Sequence, residues 1–264
     1  MESVSFDSIA AVYDETRALD EGCLSAVLDF LTGKFPPSKY KKLFEPGIGT
    51  GRIAIPLAER GYSVTGADIS ENMLKILAEK LSRRHPSLPV AFQKTDITAL
   101  PLPDAAFDIA VATHIFHLVR DWQKAMREVL RVLKPGAPLV LMFTGSGTEA
   151  PGVKERYRVL CAEHGYAVRH IGMNSETDLP DFVSTIGRHI EWVRDRWQWK
   201  QCVRVDKVLA DIGKKAYSSS RHVPDDIHVK VMEKLQLELK QKYINLAVEV
   251  EIPVHIDMAF ILSN

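Results

Sequence analysis

Between Lys41 and Phe143 short apolar runs alternate with longer segments whose apolar residues recur at helical period, the pattern of βαβ units built on a parallel sheet. The runs Lys42–Pro46, Tyr62–Asp68, Leu88–Lys94, Phe107–His114 and Ala137–Phe143 predict five strands. A helix is expected over Gly51–Arg60, although Pro56 is tolerated only near its first turn. After Asp68, Ser70 caps a second helix whose Met73, Leu74, Leu77, Ala78 and Leu81 form one apolar face. A third starts at Asp121, carries the stripe Trp122, Ala125, Met126, Val129, Leu130 and Leu133, and stops at Lys134-Pro135-Gly136.

Beyond Thr144 the periodicity weakens. Arg156–His164 and Pro224–Lys242 read as helical, His189–Val205 and Leu246–Leu262 as extended, and Val205–Tyr217 as helix-like. No low-complexity linker or internal repeat interrupts the chain. The expectation is a single domain over 1–264. Residues 1–35 would be an N-terminal helical lid, 36–144 the ligand-binding core, 145–242 an inserted cap containing a late strand, and 243–264 a C-terminal strand.

Composition narrows the function. Lys plus Arg and Asp plus Glu both total 34, so no global positive field gathers nucleic acid or an anionic membrane. The stretch Arg188–Arg221 holds nine Lys or Arg against four Asp or Glu, an excess that an ordinary solvated face also shows. Cys23, Cys161 and Cys202 are odd in number and widely spaced, which suggests neither a disulfide framework nor zinc and fits a reducing, cytoplasmic setting. No apolar run approaches the roughly 18 residues of a membrane span. Asp225, Asp226 and His228 could hold a cation, but acids that open an amphipathic helix more often complement its dipole. No metal is expected. Trp192, Trp197 and Trp199 alternate with Arg194, Arg196 and Lys200, as residues of any half-buried strand do.

The chemistry is concentrated after the first predicted strand, in Phe44-Glu45-Pro46-Gly47-Ile48-Gly49-Thr50-Gly51-Arg52. A glycine loop between strand and helix brings backbone N–H groups to the carboxyl edge of a parallel sheet, where ligands bind. The dinucleotide fingerprint is G-x-G-x-x-G, whereas Gly47, Gly49 and Gly51 give G-x-G-x-G with Arg52 in place of the third small residue. That spacing argues against NAD. Asp68, at the end of the second strand, suits a ribose diol, so a nucleoside remains implied. Glu45 would repel a pyrophosphate and suits a ligand bearing an ammonium or sulfonium.

These residues resemble the class I S-adenosylmethionine-dependent methyltransferases, in the small-molecule, ubiquinone/menaquinone-methylase-like branch. Glu45–Arg52 looks like the first motif of that family, Gly66–Ser70 its ribose-binding acid, Lys94–Asp108 its adenine-binding segment, and Val129–Leu141 the helix-to-strand turn that follows. The resemblance runs from about Tyr13 to Phe143. It implies an α/β, Rossmann-like fold, a mostly parallel seven-stranded sheet with the last strand antiparallel and helices on both faces. It also implies that S-adenosylmethionine is the cofactor and S-adenosylhomocysteine the product. Carried over by position, Glu45, Gly47, Gly49 and Gly51 would hold the methionine and ribose part, Asp68 the ribose hydroxyls, and Asp96 with Ile97 the adenine, flanked by Ile69 and Met73. Ala10–Arg17 is similar to the lid of the small-molecule branch, with Tyr13 closing over the cofactor and Arg17 pairing with its carboxylate.

The segment after the fourth strand, which in this family faces the transferred methyl, offers His114 and His117. Their titration range suits base chemistry at neutral pH. His117 is the expected base, and His114 is expected to serve in the cofactor pocket or in catalysis. The resemblance thus implies methylation of a small-molecule acceptor by a monomer or homodimer, with no nucleic acid or membrane as partner. An RNA methyltransferase and a noncatalytic S-adenosylmethionine-binding protein are the alternatives.

Overall fold

The computed structural model describes residues 7–16, 19–146, 152–168, 171–175 and 177–263; the expected lid residue Arg17 lies outside them. In chain order the elements are a 3-10 helix (Asp7–Val12), α1 (Tyr13–Thr16), α2 (Glu21–Lys34), β1 (Lys42–Pro46), α3 (Ala54–Glu59), β2 (Ser63–Asp68), α4 (Glu71–Arg84), β3 (Val90–Lys94) and β4 (Ile109–Thr113). A second 3-10 turn (Phe116–Leu118), α5 (Trp122–Val132), β5 (Leu139–Ser146), α6 (Val153–Glu163) and α7 (Asp178–Thr185) follow. The chain continues through β6 (Arg188–Arg204), α8 (Val205–Gly213), α9 (Ser218–Arg221), α10 (Asp225–Lys242) and β7 (Glu249–Ser263).

The strands form one sheet in the order β3-β2-β1-β4-β5-β7-β6. It is mostly parallel with its last strand antiparallel, and helices surround it. β1 pairs in parallel with β2 on one side and β4 on the other. The strand order therefore reverses between them, and the crevice beyond their carboxyl ends is where open α/β sheets take ligands.

Two compact units are built on this order. The first comprises the described residues of Met1–Thr144, Ile171–Trp197 and Ile256–Asn264; the second comprises those of Gly145–His170 and Gln198–His255. In the first, the stripe of α5 (Trp122, Ala125, Met126, Val129 and Val132) packs with Leu179, Phe182 and Val183 of α7 against Phe44, Ala110, Ala112, Leu139 and Leu141 of the strands. The caps expected from sequence are in place. Ser70 Oγ accepts from Met73 N–H at 3.2 Å and Asp121 Oδ1 from Lys124 N–H at 3.4 Å. The helix expected from Gly51 begins only at Ala54, because Gly51 takes φ +79° and keeps the preceding residues in the loop. Pro56 then falls at its third position, where no N–H is required.

In the second unit α6, α8 and α10 bury Val153, Tyr157, Leu160, Val205, Leu209, Ile212, Val231, Leu235 and Leu239 together. Its described core holds a polar pair: His228 Nδ1 lies 2.6 Å from the Tyr157 hydroxyl and its Nε2 lies 3.3 Å from the Gly213 carbonyl. Asp225 instead pairs with Lys215 at 2.6 Å. The two residues thus turn to separate partners, and no described group of three His, Cys, Asp or Glu could hold a metal ion.

Within the first unit, Trp192 stacks near Phe143 at 6.0 Å and Trp197 is buried edge-on against Phe30 at 5.1 Å. Both rings are packing elements, with the guanidinium of Arg196 lying 4.4 Å over Phe30.

Candidate active site

The glycine loop leaves β1 and turns across the end of β2, with Gly47 N–H and Ile48 N–H both donating to the Ala67 carbonyl at 2.7 and 3.1 Å. All three glycines are left-handed, at φ +71°, +54° and +79°, a conformation that costs other L-residues roughly 1–2 kcal/mol. The loop is also pressed close. A Cβ on Gly51 would overlap Leu77, and one on Gly66 beneath it would overlap Ile48. Gly49 differs, since its added Cβ would stand 3.9 Å from the Gly47 carbonyl and 4.0 Å from Asp68 Oδ2. That space belongs to the cleft.

Asp68 is the hub. Its Oδ2 accepts from Gly49 N–H at 2.9 Å and its Oδ1 from Ser70 N–H at 2.8 Å, so one carboxylate ties the loop to the N-terminus of α4. Burial raises its pKa, the donors at Ser70 and Gly49 oppose that shift, and the charge of Asp7 adds to it. The N-terminal segment is fastened to the same place. Asp7 Oδ1 accepts from Ser70 Oγ at 2.6 Å and Asn72 N–H at 3.0 Å. Asp14 receives the Thr50 hydroxyl at 2.6 Å and the Lys80 ammonium at 2.5 Å. This places Tyr13 on the cleft.

The cleft is lined by Tyr13, Gly47, Gly49, Asp68, Ile69, Met73, Asp96, Ile97 and His114, all expected from the sequence, and by Thr113, Ile115, Leu118 and Val119, which were not. Asp96 caps its own turn, with Oδ1 accepting from Thr98 N–H at 2.8 Å, and this fixes the buried Ile97 beside it. Glu45, Gly51 and His117 are outside the lining. Gly51 shapes the loop from behind.

Glu45 departs most from its expected place at the loop's mouth. It is only 2% exposed, and its Oε2 has no hydrogen-bond partner. Burial pushes its pKa well above its ordinary value, against the opposing charge of Arg52 and with a further push from Asp68. Thr113 Oγ1, on the cleft wall, is likewise buried without a partner.

His114 follows β4 in a left-handed conformation, φ +51°, which is uncommon for a residue of its size. Its Nε2 accepts from Thr144 N–H at 2.9 Å, so that nitrogen carries no proton and the imidazole is held by the end of β5. His117 stands edge-on to it with ring centroids 6.0 Å apart. The turn that carries both is clamped by backbone bonds from Gly172 N–H to the His117 carbonyl and Met173 N–H to the Phe116 carbonyl, each 3.1 Å. A Cβ on Gly172 would overlap the carbonyls of Phe116 and Val119. Nothing in the sequence near Gly172 flagged this contact, because it joins segments more than fifty residues apart.

These residues fit S-adenosylmethionine. The Asp68 carboxylate could accept a ribose diol, Asp96 with Ile97 could meet an adenine, and two buried polar atoms on the same face of the sheet lack partners.

The comparisons agree with this geometry. Residues 44–141 match the family model of a methyltransferase domain. A demethylmenaquinone methyltransferase of Thermus thermophilus is 40% identical over 104 residues, covering 39% of this chain and 46% of that one. That of Chlamydia trachomatis is 34% identical over 152 residues, 56% of this chain and 64% of its own. The chain thus spans between about half and just under two thirds of the length of these relatives. The YcgJ protein from Bacillus subtilis superposes with a TM-score of 0.60 at 18% identity, over 90% of this chain and 98% of the other, which shows the fold. Over residues 44–141 the chain is therefore similar to a methyltransferase domain, and the fold it shares is that of solved methyltransferase-like structures. Its best-matched segment, Phe44–Leu141, runs from the first glycine-loop strand to the fifth strand.

Proposed function

We propose that this protein transfers the methyl of S-adenosylmethionine to a small-molecule acceptor and releases S-adenosylhomocysteine. The observation that carries the reading is the left-handed loop tied through Asp68 to the head of α4, opening a cleft at the β1/β4 switch point that Asp96, Ile97 and His114 complete. The cofactor supplies a sulfonium methyl that is already electrophilic, so the protein's part is to orient the acceptor and exclude water.

In this reading Asp68 receives the ribose hydroxyls, and Ile69, Met73, Asp96 and Ile97 enclose the adenine. Gly47 and Gly49 give backbone access to the amino-acid part. Tyr13 covers the cleft, and His114 faces the transferred group. With Nε2 accepting the Thr144 N–H, the neutral imidazole of His114 carries its proton on Nδ1, so in this reading Nδ1 donates a hydrogen bond and does not act as a base. His117 lies outside the cleft lining, so the reading gives it no contact with the acceptor. Relatives named for demethylmenaquinone and for 27-O-demethylrifamycin SV, the latter from Amycolatopsis mediterranei at 33% identity over 129 residues (48% of this chain, 47% of its own), support an acceptor of small-molecule size. No described helix is long and apolar enough to cross a membrane.

The test is calorimetric titration with S-adenosylmethionine, S-adenosylhomocysteine and NADH, followed by transfer of labelled methyl to a panel of quinols, phenols, carboxylates and amines. Micromolar binding of the first two alone, with label in one acceptor class, is expected. Binding of NADH instead, or of none of the three, defeats the reading.

A further inference from the structure

The first turn of α4 is shared by two carboxylates. Its opening donors divide among three acceptors: Ser70 N–H goes to Asp68 Oδ1 at 2.8 Å, Asn72 N–H to Asp7 Oδ1 at 3.0 Å, and Met73 N–H to Ser70 Oγ at 3.2 Å. Ser70 Oγ in turn donates to Asp7 Oδ1 at 2.6 Å, and the Asn72 side-chain amide donates to the Asp7 carbonyl at 3.2 Å. Ser70 is only 1% exposed, so its hydroxyl is closed off from bulk water and Asp7 sets its direction.

Capping alone does not account for this arrangement. Ser70 already supplies the side-chain acceptor that a helix N-terminus favours. Asp7, from 63 residues earlier, brings a second acid close to Asp68, and its charge makes Asp68 harder to ionise. Like charges so placed repel, and the donors and partial positive charge of the helix N-terminus offset that repulsion while both acids stay on the one turn. The turn that Asp7 holds is the one that carries Ser70 N–H, one of the two donors that fix Asp68; the other is Gly49 N–H on the glycine loop. Asp68 lines the cleft and Asp7 does not.

We propose that Asp7 is a positioning residue for the ribose-binding carboxylate: it clamps the first turn of α4 through Ser70 and Asn72, and Ser70 N–H then holds Asp68 in the orientation that accepts the ribose hydroxyls. Asp7 itself touches no ligand. The N-terminal segment thereby contributes to recognition of one part of the cofactor, the sugar, beyond covering the cleft. Asp14 marks the contrast, because it ties the same segment to Thr50 on the loop and to Lys80 farther along α4, away from the first turn.

This rests on the S-adenosylmethionine reading, and the experiment separates the two. Calorimetric titrations of the whole protein compare S-adenosylhomocysteine and 5′-methylthioadenosine, which keeps adenine and ribose but lacks the amino-acid part, with the 2′-deoxy form of each. In the wild type, loss of one hydroxyl bonded to a carboxylate should weaken binding by about ten- to a hundredfold. Asp7→Ala should cut that penalty about threefold or more for both ligands, a coupling of the size found within one hydrogen-bond network. Asp7→Asn, whose amide oxygen still accepts from Ser70 and Asn72, should restore the wild-type penalty. Asp14→Ala should weaken all four ligands alike and leave the penalty unchanged. Circular dichroism checks folding; should Asp7→Ala not fold, Ser70→Ala, which severs the hydroxyl link and keeps the Ser70 N–H, is read in its place with the same expectation. Equal weakening of each ligand and its 2′-deoxy form by Asp7→Ala overturns the proposal and leaves the cofactor reading intact. A penalty that shrinks as much in Asp14→Ala, or that Asp7→Asn does not restore, overturns it as well. A wild type that binds the ligands without distinguishing the hydroxyl removes the ribose from Asp68 and the proposal with it, whereas failure of all four to bind overturns the cofactor reading itself.

Discussion

Truncating Asp68 to alanine tests the site at its hub. The carboxylate has two functions at once: it accepts Gly49 N–H and Ser70 N–H, and it offers its remaining lone pairs to the cleft. Two ribose hydroxyl bonds to an ionised carboxylate, at about 1.5–3 kcal/mol each, set the loss of binding energy at about 3–6 kcal/mol. At about 1.4 kcal/mol per decade this is a hundred- to ten-thousand-fold rise in Kd. The same change frees two backbone donors in a partly buried site, which costs about 1–3 kcal/mol each where water does not replace the acceptor. Asp68→Asn keeps one accepting oxygen and should fall between the extremes. The assay is calorimetric titration of both variants with S-adenosylhomocysteine and methylthioadenosine, beside circular dichroism to confirm folding. Both ligands carry the ribose, so both should weaken alike. A folded Asp68→Ala protein that binds either within a few-fold of wild type would refute the assignment.

Other perturbations follow from the same geometry. Gly49→Ala meets no close atom but needs φ +54°, so it should fold with a loss of roughly 1–2 kcal/mol and bind S-adenosylhomocysteine at least tenfold more weakly; undiminished binding would show that the cleft does not extend there. Gly66→Ala drives a Cβ into Ile48, and a clear drop in thermal stability is expected before any ligand is added. Gly172→Ala strikes the backbone carbonyls of Phe116 and Val119, so cofactor affinity should fall although Gly172 does not line the cleft; hydrogen exchange of Phe116–Val119 identical to wild type would contradict this. His228 is buried and its pKa is lowered, by burial first and by Lys215, against the opposing effects of Gly213 and Asp225. The unfolded chain then binds the extra proton first, so stability is full above the ordinary histidine pKa of about 6.5 and is lost as pH falls below it toward the depressed folded value. Thermal melts of wild type and His228→Gln across that window should converge at acid pH, and parallel curves would exclude the histidine.

The first five strands were legible because each is an apolar run bounded by turn residues, and two of the helices between them, α4 and α5, carry clear stripes. Lys42–Pro46 matches the predicted strand to the residue. α7 was missed, since its Asp178–Thr185 is short and contains Pro180, and its burial depends on α5 rather than on its own periodicity. Cleft residues on the glycine loop and the strand ends were readable because they are local to one βα unit each. Thr113 was not, since a threonine at the end of an apolar strand looks like any other. The depth of Glu45 was equally hidden, because strand position alone does not say whether a side chain opens onto the mouth or the floor. The engagement of His114 by Thr144 depends on β4 and β5 lying side by side, a relation thirty residues long in sequence.

The fastening of Asp14 to Thr50 and Lys80 bears on residence time as well as on shape. On the proposed reading a ligand would lie beneath Tyr13 and leave only after that strap lifts, which would make its departure a gated step. Asp14 and Lys80 are 39% and 30% exposed, which limits the pair to about 0.2–1 kcal/mol and makes it sensitive to salt. The escape rate of bound S-adenosylhomocysteine should therefore rise only a few-fold when Asp14 is replaced by alanine, and added salt should speed the wild-type protein toward the variant's rate.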